Sequence, residues 1–272
     1  MMNNSVLGKA MTKKPISTKP LVIKIGGAIL EQETALTALL KVIKNLKDQT
    51  IVLVHGGGCV VDEQLKQAGF TTTKKDGLRI TPKEQMPIIS GALAGSVNKG
   101  IVGKANSFQL NAVGLSLADG NMVCCELSDK NLGSVGNPSP KSSALLDSLL
   151  QNNFMPVICS IGALANGDLV NVNADDAAVA ICQLLNAELL LLTDVDGVWD
   201  AKGQCLASLN TQQADQLISQ GVIAGGMTAK VNAALSAAHH LRRSIAVASW
   251  KTPEKIVHLL AGDNIGTRIL PN

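Results

Sequence analysis

The sequence is poor in aromatic residues, with three Phe, two Trp and no Tyr among its 272 residues. Proteins that bind single-stranded nucleic acid stack bases on aromatic side chains, so this scarcity argues against that class. The sequence also lacks an apolar run of membrane-spanning length, the apolar segment of a secretory signal and the arginines of a transit peptide. We therefore expect a cytoplasmic protein without a membrane partner.

An excess of one charge is also missing from most of the chain. The net charge is +3, but four lysines precede the first predicted strand without an acidic residue among them, which leaves 20 basic and 21 acidic residues. With its charges this close to balance, the remainder of the chain gives no sign of a basic surface for binding nucleic acid or a membrane. We expect residues 1–19 to form a flexible extension and residues 20–272 to form a single α/β domain.

Cysteine pairs with metal-binding or redox spacing are absent as well. The six cysteines contain no CxxC motif and mostly lie in apolar runs. This pattern is typical of buried free thiols in a reducing compartment and disfavours disulfides or zinc. The six positions are Cys59, Cys124, Cys125, Cys159, Cys182 and Cys205.

The chain is organised around its first apolar run. Leu21–Ile25 is apolar except for Lys24 and is followed at once by Gly26 and Gly27, as in a buried strand that ends in a tight turn. A buried ammonium group needs an anion, and glycines after a strand allow a ligand to approach the backbone amides. A phosphate suits this arrangement. The alternative is a lysine that reaches solvent from an edge strand beside an ordinary turn.

A second unit repeats this pattern and predicts a parallel sheet. Ile51–Val54 reads as a buried strand, and His55 with Gly56–Gly58 follows it before a predicted helix at Val60–Ala68. Three consecutive glycines suggest amides that face a ligand. A histidine before a glycine turn commonly bonds a backbone carbonyl, and we favour this over catalysis for His55.

Thr71–Ile80 predicts a β-hairpin with Asp76-Gly77 as its turn. Arg79 leaves this hairpin just before a long helix predicted from Thr81 to about Lys104. An arginine on a hairpin is usually a solvated charge. Placed over the glycine loop, its guanidinium group would instead bind a carboxylate through two parallel hydrogen bonds.

The middle of the chain predicts three strands and a loop. Asn111–Leu117 and Met122–Leu127 read as strands, and the stretch up to Lys141, which is rich in glycine and proline, reads as a polar loop. Pro156–Ile161 reads as a buried strand closed by Gly162.

The run 167–176, GDLVNVNADD, carries alternating polar side chains. On an extended segment Asn171, Asn173 and Asp175 share one face, which favours orientation of a ligand over mere capping of the helix that follows. A carboxylate in this run would also be a partner for Lys24.

In the second half, Glu188–Thr193 predicts a strand that runs into the acidic glycine turn 194–199. This turn suits a nucleotide base, ribose or magnesium, although an ordinary β-turn is an equal alternative.

Gly225 and Gly226 precede a helix predicted at Thr228–Leu241, with Lys230 in its first turn. A lysine is unfavourable there because of the helix dipole, and a bound anion would offset this. The other predicted helices are Glu31–Lys47, Ser142–Gln151, 177–185, Thr211–Gln220 and Pro253–Leu260, and the other strands are Ile245–Ala248 and Gly266–Leu270.

Six short motifs occur in register between Pro20 and Leu270: KIGG, HGGG, DGLR, NVNAD, DVDGV and GGMTAK. With them the chain resembles the amino acid kinase family, most closely its members that phosphorylate N-acetyl-L-glutamate with ATP in arginine biosynthesis. The resemblance implies a three-layer αβα sandwich around a mainly parallel sheet. It further implies an amino-acid-binding lobe at about residues 20–170 and an ATP-binding lobe at about residues 171–272.

The resemblance also implies roles for individual residues. Lys24 and Lys230 are expected on the transferred phosphoryl group, with Asp175 orienting both lysines. The expected N-acetyl-L-glutamate contacts are Gly57, Gly58, Arg79, Asn171 and Asn173, with Arg79 on the α-carboxylate. The expected ATP contacts are Gly26, Gly27, Asp194, Val195, Asp196, Gly197, Val198, Trp199, Val222, Ile223 and Ala224.

Magnesium is expected to arrive with ATP, without a metal site of the protein itself. Arginine-inhibited hexameric members of the family carry an extra N-terminal helix, whereas this N-terminal tail is polar and rich in lysine, so we expect a homodimer. Two alternatives remain: another family member, such as a carbamate, glutamate 5- or UMP kinase, and a catalytically inactive ligand sensor. Arg79 after Asp-Gly-Leu favours N-acetyl-L-glutamate, and the presence of Lys24, Asp175 and Lys230 together argues against a sensor.

Overall fold

The computed structural model describes residues 19–75, 77–263 and 265–271. The expected N-terminal extension therefore lies outside the described residues except for Lys19, as does Asp76 of the predicted hairpin turn. None of the helices in the described ranges is long and apolar enough to cross a bilayer.

The strands are short and the helices alternate with them. The strands are β1 (Leu21–Ile25), β2 (Ile51–His55), β3 (Lys74–Lys75), β4 (Leu78–Arg79), β5 (Ala112–Ser116), β6 (Val123–Leu127), β7 (Gly136–Pro140), β8 (Met155–Cys159), β9 (Ile161–Ala163), β10 (Leu169–Asn171), β11 (Glu188–Thr193), β12 (Ser208–Leu209), β13 (Ile245–Ser249) and β14 (Thr267–Ile269). The α-helices are α1 (Gly27–Leu30), α2 (Glu33–Asn45), α3 (Gly58–Gln67), α4 (Met86–Ser90), α5 (Asn98–Ser107), α6 (Ala144–Gln151), α7 (Ala174–Leu185), α8 (Thr211–Ser219), α9 (Gly226–Leu241) and α10 (Lys255–Leu260).

Within the described residues, eight strands form the central sheet in the order β12-β14-β13-β11-β1-β2-β8-β5. All neighbouring strands in it are parallel except β13 and β14. Strand β1 lies inside the sheet with β2 on one side and β11 on the other, so the alternative of an edge strand around Lys24 is wrong. The assignment of amino acid binding to residues 20–170 and of ATP binding to residues 171–272 stays a prediction.

Apolar residues cover both faces of this sheet, because successive side chains of a strand point to opposite faces. Val22 and Val52 pack with α6, α7, α8 and α9 in one core. Ile23 and Leu53 pack with α1, α2, α5 and α10 in a second core. The predicted three-layer αβα fold is confirmed.

One predicted loop is a strand. Gly136–Pro140, expected within a polar loop, pairs antiparallel with β6 in a separate two-stranded sheet, with Pro138 opposite Cys125. Prolines are tolerated in strands whose outer edge needs no N–H donor, and a two-stranded sheet provides such an edge. The prediction of a loop was therefore wrong here, because alternating proline and small polar residues are compatible with an edge strand as well as with a loop.

Two further boundaries differ from the prediction. Gly162 does not close the strand after Pro156, because β8 ends at Cys159 and Gly162 lies inside β9, which pairs with β10. The long helix predicted from Thr81 is divided into a 3-10 turn at Lys83–Gln85, helix α4, a π-helical segment at Gly91–Val97 and helix α5.

The cysteines are all free, as expected, but only half of them are buried. Cys125, Cys159 and Cys182 are buried, and burial raises the pKa of Cys125 and Cys159 to about 11. Cys59, Cys124 and Cys205 are exposed, which corrects the expectation of buried thiols at those positions. An apolar neighbourhood in the sequence does not distinguish the two faces of a strand or helix.

Candidate active site

A pocket of about 230 Å³ lies at the carboxyl ends of β1 and β11, between the turn at Gly26 and helix α9. Four charged side chains line it, namely Lys24, Asp175, Asp194 and Lys230. The remainder of the lining is largely apolar and comes mostly from β11, β13, β14 and α9. It includes Ala28, Leu191, Leu192, Val198, Met227, Val231, Ala234, Val247, Trp250 and Ile269.

Lys24 is held by a carboxylate from the helical layer. Lys24 lies two residues after Val22 on β1, so the two side chains point to the same face of the sheet. This is the face that α7 covers. Its Nζ lies 2.8 Å from Oδ1 of Asp175, with 16% and 24% of the two side chains exposed. The prediction that a carboxylate after Asn171 meets Lys24 is confirmed.

Asp175 reaches this position from the first turn of α7. The side chain of Asn173 caps the helix, since its Oδ1 accepts a hydrogen bond of 2.7 Å from the backbone N–H of Asp175. The expected extended run therefore ends early, with β10 stopping at Asn171 and the helix starting at Ala174. The prediction that the three polar side chains share one face of a strand is wrong, because the cap turns the chain between them.

Lys230 has a different partner from the expected one. It is the fifth residue of α9, two residues further into the helix than predicted, and its ammonium group contacts Oδ1 of Asp194 after β11. This hydrogen bond lowers the pKa of Asp194, and 42% of the Lys230 and 46% of the Asp194 side chain are exposed. Asp175 thus pairs with Lys24, and the second lysine has its own acid.

The first glycine turn borders the pocket. Gly26 and Gly27 both line it, and Gly26 precedes the short helix α1 in an extended conformation. A methyl group added at Gly26 would meet no atom within 4 Å, whereas at Gly27 it would lie 3.2 Å from Sγ of Cys59. The open space at Gly26 is compatible with close approach of a ligand.

The predicted ATP contacts divide into two groups. Asp194, Val195, Gly197 and Val198 line the pocket together with the glycine turn. The remaining ones lie outside its lining: Asp196, Trp199, Val222, Ile223 and Ala224. Among these, Trp199 is 45% exposed and Ile223 is buried in the core.

Sequence reasoning missed several apolar residues of the pocket. Met227 and Trp250 line it, and Trp250 is buried at the end of β13 with the Lys251 ammonium group 5.8 Å from its ring centroid. The signal available was position: both residues directly follow a glycine pair or a buried strand on this edge of the sheet. Apolar type alone does not separate a pocket wall from a core residue.

His55 has a structural role in a buried hydrogen-bond network. It is completely buried, with Nδ1 2.7 Å from the carbonyl of Gly56 and Nε2 3.0 Å from Nδ2 of Asn98. Asn98 also donates to the carbonyl of Val157 over 2.9 Å. Burial lowers the pKa of His55 to about 4, so the ring is neutral at pH 7. The interpretation that His55 bonds a backbone carbonyl is confirmed.

The glycine loop packs closely against the π-helical segment. A methyl group at Gly57 would lie 2.9 Å from Leu93 and 3.0 Å from Val97, and at Gly56 it would lie 3.3 Å from Ala174. Close packing therefore opposes a side chain at Gly57, whereas at Gly56 a small shift of Ala174 would make room for a methyl group. At Gly58 a methyl group would meet only the Arg79 guanidinium group, at 3.8 Å.

Arg79 is buried rather than solvated. Its side chain folds from β4 over the start of α3, where Nη2 donates to the carbonyl of Gly58 over 3.2 Å and Nη1 contacts Oδ1 of Asp62. The ion pair lowers the pKa of Asp62. The structure thus brings Arg79 to the glycine loop, and Asp62 is a partner that the sequence did not suggest.

Thr81 links Arg79 to Asn171. The buried hydroxyl of Thr81 donates to the carbonyl of Arg79 over 3.1 Å and accepts from Nδ2 of Asn171 over 3.2 Å. Four of the predicted acceptor contacts, Gly57, Gly58, Arg79 and Asn171, thus belong to one network of packed loops, while Asn173 continues into the Asp175 cap. None of the five lines the pocket described above.

Within the described ranges, no group of three His, Cys, Asp or Glu side chains is arranged to hold a metal ion. The two carboxylates in the pocket, Asp175 and Asp194, each contact a lysine. Any cation in this pocket would therefore compete with the lysines for these oxygens.

Comparison with known proteins identifies relatives of the whole chain. Residues 19–249 match the model of the amino acid kinase family. The chain is 69% identical over 271 residues, the full length of both chains, to an acetylglutamate kinase from Colwellia psychrerythraea. It is 50% identical over 254 residues to an acetylglutamate kinase from Serratia proteamaculans, covering 92% of this chain and 99% of that protein.

The fold has solved counterparts. A carbamate kinase from Giardia lamblia superimposes with a TM-score of 0.66 and 19% identity, over 94% of this chain and all of that chain. At this identity the likeness concerns the fold alone, and it agrees with the mainly parallel sheet.

Proposed function

The chain belongs to the amino acid kinase family, and from this premise we propose how its site performs the reaction of an acetylglutamate kinase. The enzyme phosphorylates the side-chain carboxylate of N-acetyl-L-glutamate with ATP, which gives an acyl phosphate and ADP in arginine biosynthesis. The full-length identity of 69% to an acetylglutamate kinase supports this activity over that of the other family members.

The observation that carries the mechanism is the convergence of Lys24 and Lys230 on one pocket. Transfer of a phosphoryl group to a carboxylate brings two anions together, so the protein must compensate charge and align the reactants. We assign the two ammonium groups to the oxygens of the transferred phosphoryl group. A ligand sensor without catalysis has no need for two cations in one pocket.

No general base is required, because the attacking carboxylate is ionised at neutral pH. Asp175 is therefore assigned to orienting Lys24, whose side chain it contacts at 2.8 Å. Asp194 contacts Lys230 in the same manner and takes the orienting role for that lysine.

We assign the acceptor to the loops beside the pocket. Arg79 binds the α-carboxylate, and Gly57, Gly58, Asn171 and Asn173 surround the remainder of N-acetyl-L-glutamate. The burial of Arg79 over Gly58 supports this assignment, since a desolvated guanidinium group binds a carboxylate more strongly than a solvated one.

ATP is assigned to the apolar half of the pocket, with its phosphates toward Gly26, Gly27 and the two lysines. Because both carboxylates of the pocket contact lysines, Mg²⁺ is assigned to the ATP phosphates and to water. When bound, it adds positive charge to the phosphate oxygens.

We also propose that the enzyme is a cytoplasmic homodimer. Six unpaired cysteines agree with a reducing compartment. The dimer rests on the family resemblance, and light scattering of the purified protein tests it through its mass.

Hydroxylamine trapping tests the reaction directly, because hydroxylamine converts an acyl phosphate into a hydroxamate. With ATP, we expect hydroxamate from N-acetyl-L-glutamate, and none from L-aspartate or unacetylated L-glutamate. ADP formation without hydroxamate for any of these acids would exclude the proposed function.

A further inference from the structure

Asp62 and Arg79 form an ion pair at the edge of the acceptor loops. Asp62 is the fifth residue of α3, the helix that starts at Gly58, and Arg79 is the last residue of β4. Only 8% of the Arg79 side chain is exposed, compared with 36% for Asp62. A guanidinium group buried to this extent needs both a counter-charge and a fixed orientation.

The contacts of Arg79 leave part of its binding capacity free. A guanidinium group carries five N–H donors in a planar fork. One Nη1–H contacts Asp62 and one Nη2–H donates to the carbonyl of Gly58, and the remaining three make no hydrogen bond to the described residues. Two anchors fix the plane of the fork, and three donors are left for a ligand.

The two groups that hold Arg79, the carbonyl of Gly58 and the carboxylate of Asp62, both belong to helix α3. Gly58 begins α3, and Asp62 follows one turn later on it, so one rigid element holds both contacts. The surroundings keep Asp62 ionised, since Arg79 and other neighbours, including Lys74 with Nζ 3.8 Å from Oδ2, lower its pKa. The orientation of Arg79 thus depends on α3 rather than on the hairpin that carries it.

We propose that Asp62 is a positioning residue that sets the Arg79 guanidinium group to receive the α-carboxylate of N-acetyl-L-glutamate. This inference rests on the proposed function and extends it to a residue that touches no reactant. It predicts that Asp62 acts only through the α-carboxylate and leaves the ATP side unchanged.

Two other roles for Asp62 predict different results. If Asp62 merely neutralised Arg79, it would compete with the substrate carboxylate, and its removal would tighten binding of the substrate. A purely structural ion pair would instead lower stability and affect all substrates equally. The three cases differ in sign and in substrate dependence.

The test compares two substrates in wild type and Asp62→Asn. N-Acetyl-L-glutamate carries the α-carboxylate, and 4-acetamidobutanoate lacks only that group while keeping the reacting carboxylate. We expect Asp62→Asn to raise KM for N-acetyl-L-glutamate on the order of tenfold, because a small misplacement of a positioning group is costly. KM for ATP and kcat/KM for 4-acetamidobutanoate should stay within about twofold of wild type.

Two further variants serve as controls. Asp62→Glu keeps the charge and should recover part of the loss, which also covers the case in which Asp62→Asn folds poorly. Lys74→Met removes an exposed charge beside Asp62 and keeps the backbone pairing of residue 74 with Arg79 across the hairpin, and its KM values should match those of the wild type.

An unchanged or lower KM for N-acetyl-L-glutamate in Asp62→Asn would overturn the proposal, as would equal losses for both substrates. Failure of the proposed function is visible separately. In that case the wild-type enzyme itself forms no hydroxamate from N-acetyl-L-glutamate, and the role of Asp62 falls with it.

Discussion

On the proposed acceptor side of the site, formed by the glycine loop, Arg79 and Asn171, the polar side chains are largely buried and held by several elements. On the proposed nucleotide side, formed by Asp194 and Lys230 beside the apolar pocket, the ion pair is about half exposed and joins two elements. Buried contacts fix geometry, and exposed ones are weaker and readily exchanged. The comparison suggests a rigid acceptor side and an adjustable nucleotide side.

The strongest test of the comparison removes each lysine. Lys24→Ala and Lys230→Ala should each lower kcat by at least about 100-fold, with smaller effects on KM, because both are assigned to charge that develops in the transition state. Steady-state kinetics with both substrates measures this. Lys83→Ala, which removes a surface lysine 3.0 Å from Asp168, is the control and should leave kcat unchanged. A near wild-type kcat in either variant would remove that lysine from the mechanism.

As the pH falls, the protein should lose stability first through His55, which precedes the glycine loop of the proposed acceptor side, and only later through the acid of the proposed nucleotide side. Burial holds His55 neutral in the folded state, with a pKa of about 4 instead of its ordinary value of 6.5, so only the unfolded state takes up this proton between these pH values. Unfolding free energy should therefore fall by about 3 kcal/mol from pH 6.5 to pH 4 through this group alone.

Denaturant unfolding at several pH values measures this loss. His55→Asn should be less stable at pH 7 but show a flatter dependence over this range. Asp62 and Asp194 have lowered pKa values, so the stability they contribute is lost only as pH falls below about 3.8. An equally steep decline in His55→Asn would show that other groups cause it.

Alanine substitution of two glycines separates packing from ligand approach. Gly57→Ala should lower the unfolding free energy by about 2 kcal/mol, because its methyl group would collide with Leu93 and Val97. Gly26→Ala has open space and should leave stability within about 0.5 kcal/mol, while KM for ATP rises. Thermal melts and kinetics on both variants check this. Equal losses of stability would contradict a difference in packing between the two turns.

The smallest expected effects come from the acids that hold the lysines. Asp175→Asn should lower kcat about tenfold, because it leaves the partly buried Lys24 ammonium group without its carboxylate. Asp194→Asn should change kcat by no more than about threefold, because exposed ion pairs contribute little. Kinetic parameters of the two variants, measured side by side, decide the order. A larger loss in Asp194→Asn would reverse the comparison.

Much of the fold was predictable, because buried parallel strands appear in the sequence as continuous apolar runs. Strands β1, β2 and β11 and the glycine turns after the first two follow from that pattern, and the motifs on this edge implied the two lysines. Strand β7 was not predictable in the same way, since its prolines resemble a loop until its partner is known. The π-helical segment and the exposed cysteines likewise depend on tertiary packing.

Within the site, single charges were easier to predict than their partners. Lys24 stands out as the one charge in the apolar run Leu21–Ile25, and a carboxylate of the run 167–176 was inferred as its partner. Asp62 stands on a helix with other charged residues, and nothing in the sequence marks it as the neighbour of Arg79. The pairing of Lys230 with Asp194 depends on the approach of α9 to the end of β11, which only the three-dimensional structure establishes.

The position of β1 between β2 and β11 has a consequence for biosynthesis. Its pairing with β2 becomes available early in translation, but Leu21 must wait for Glu188 before its other edge is covered. Until the ribosome has released that distant segment, the strand that bears Lys24 presents open backbone groups to other nascent chains. Chaperones that shield such edges should therefore engage this polypeptide during roughly the first two thirds of its synthesis, and ribosome profiling of chaperone-bound chains would detect them.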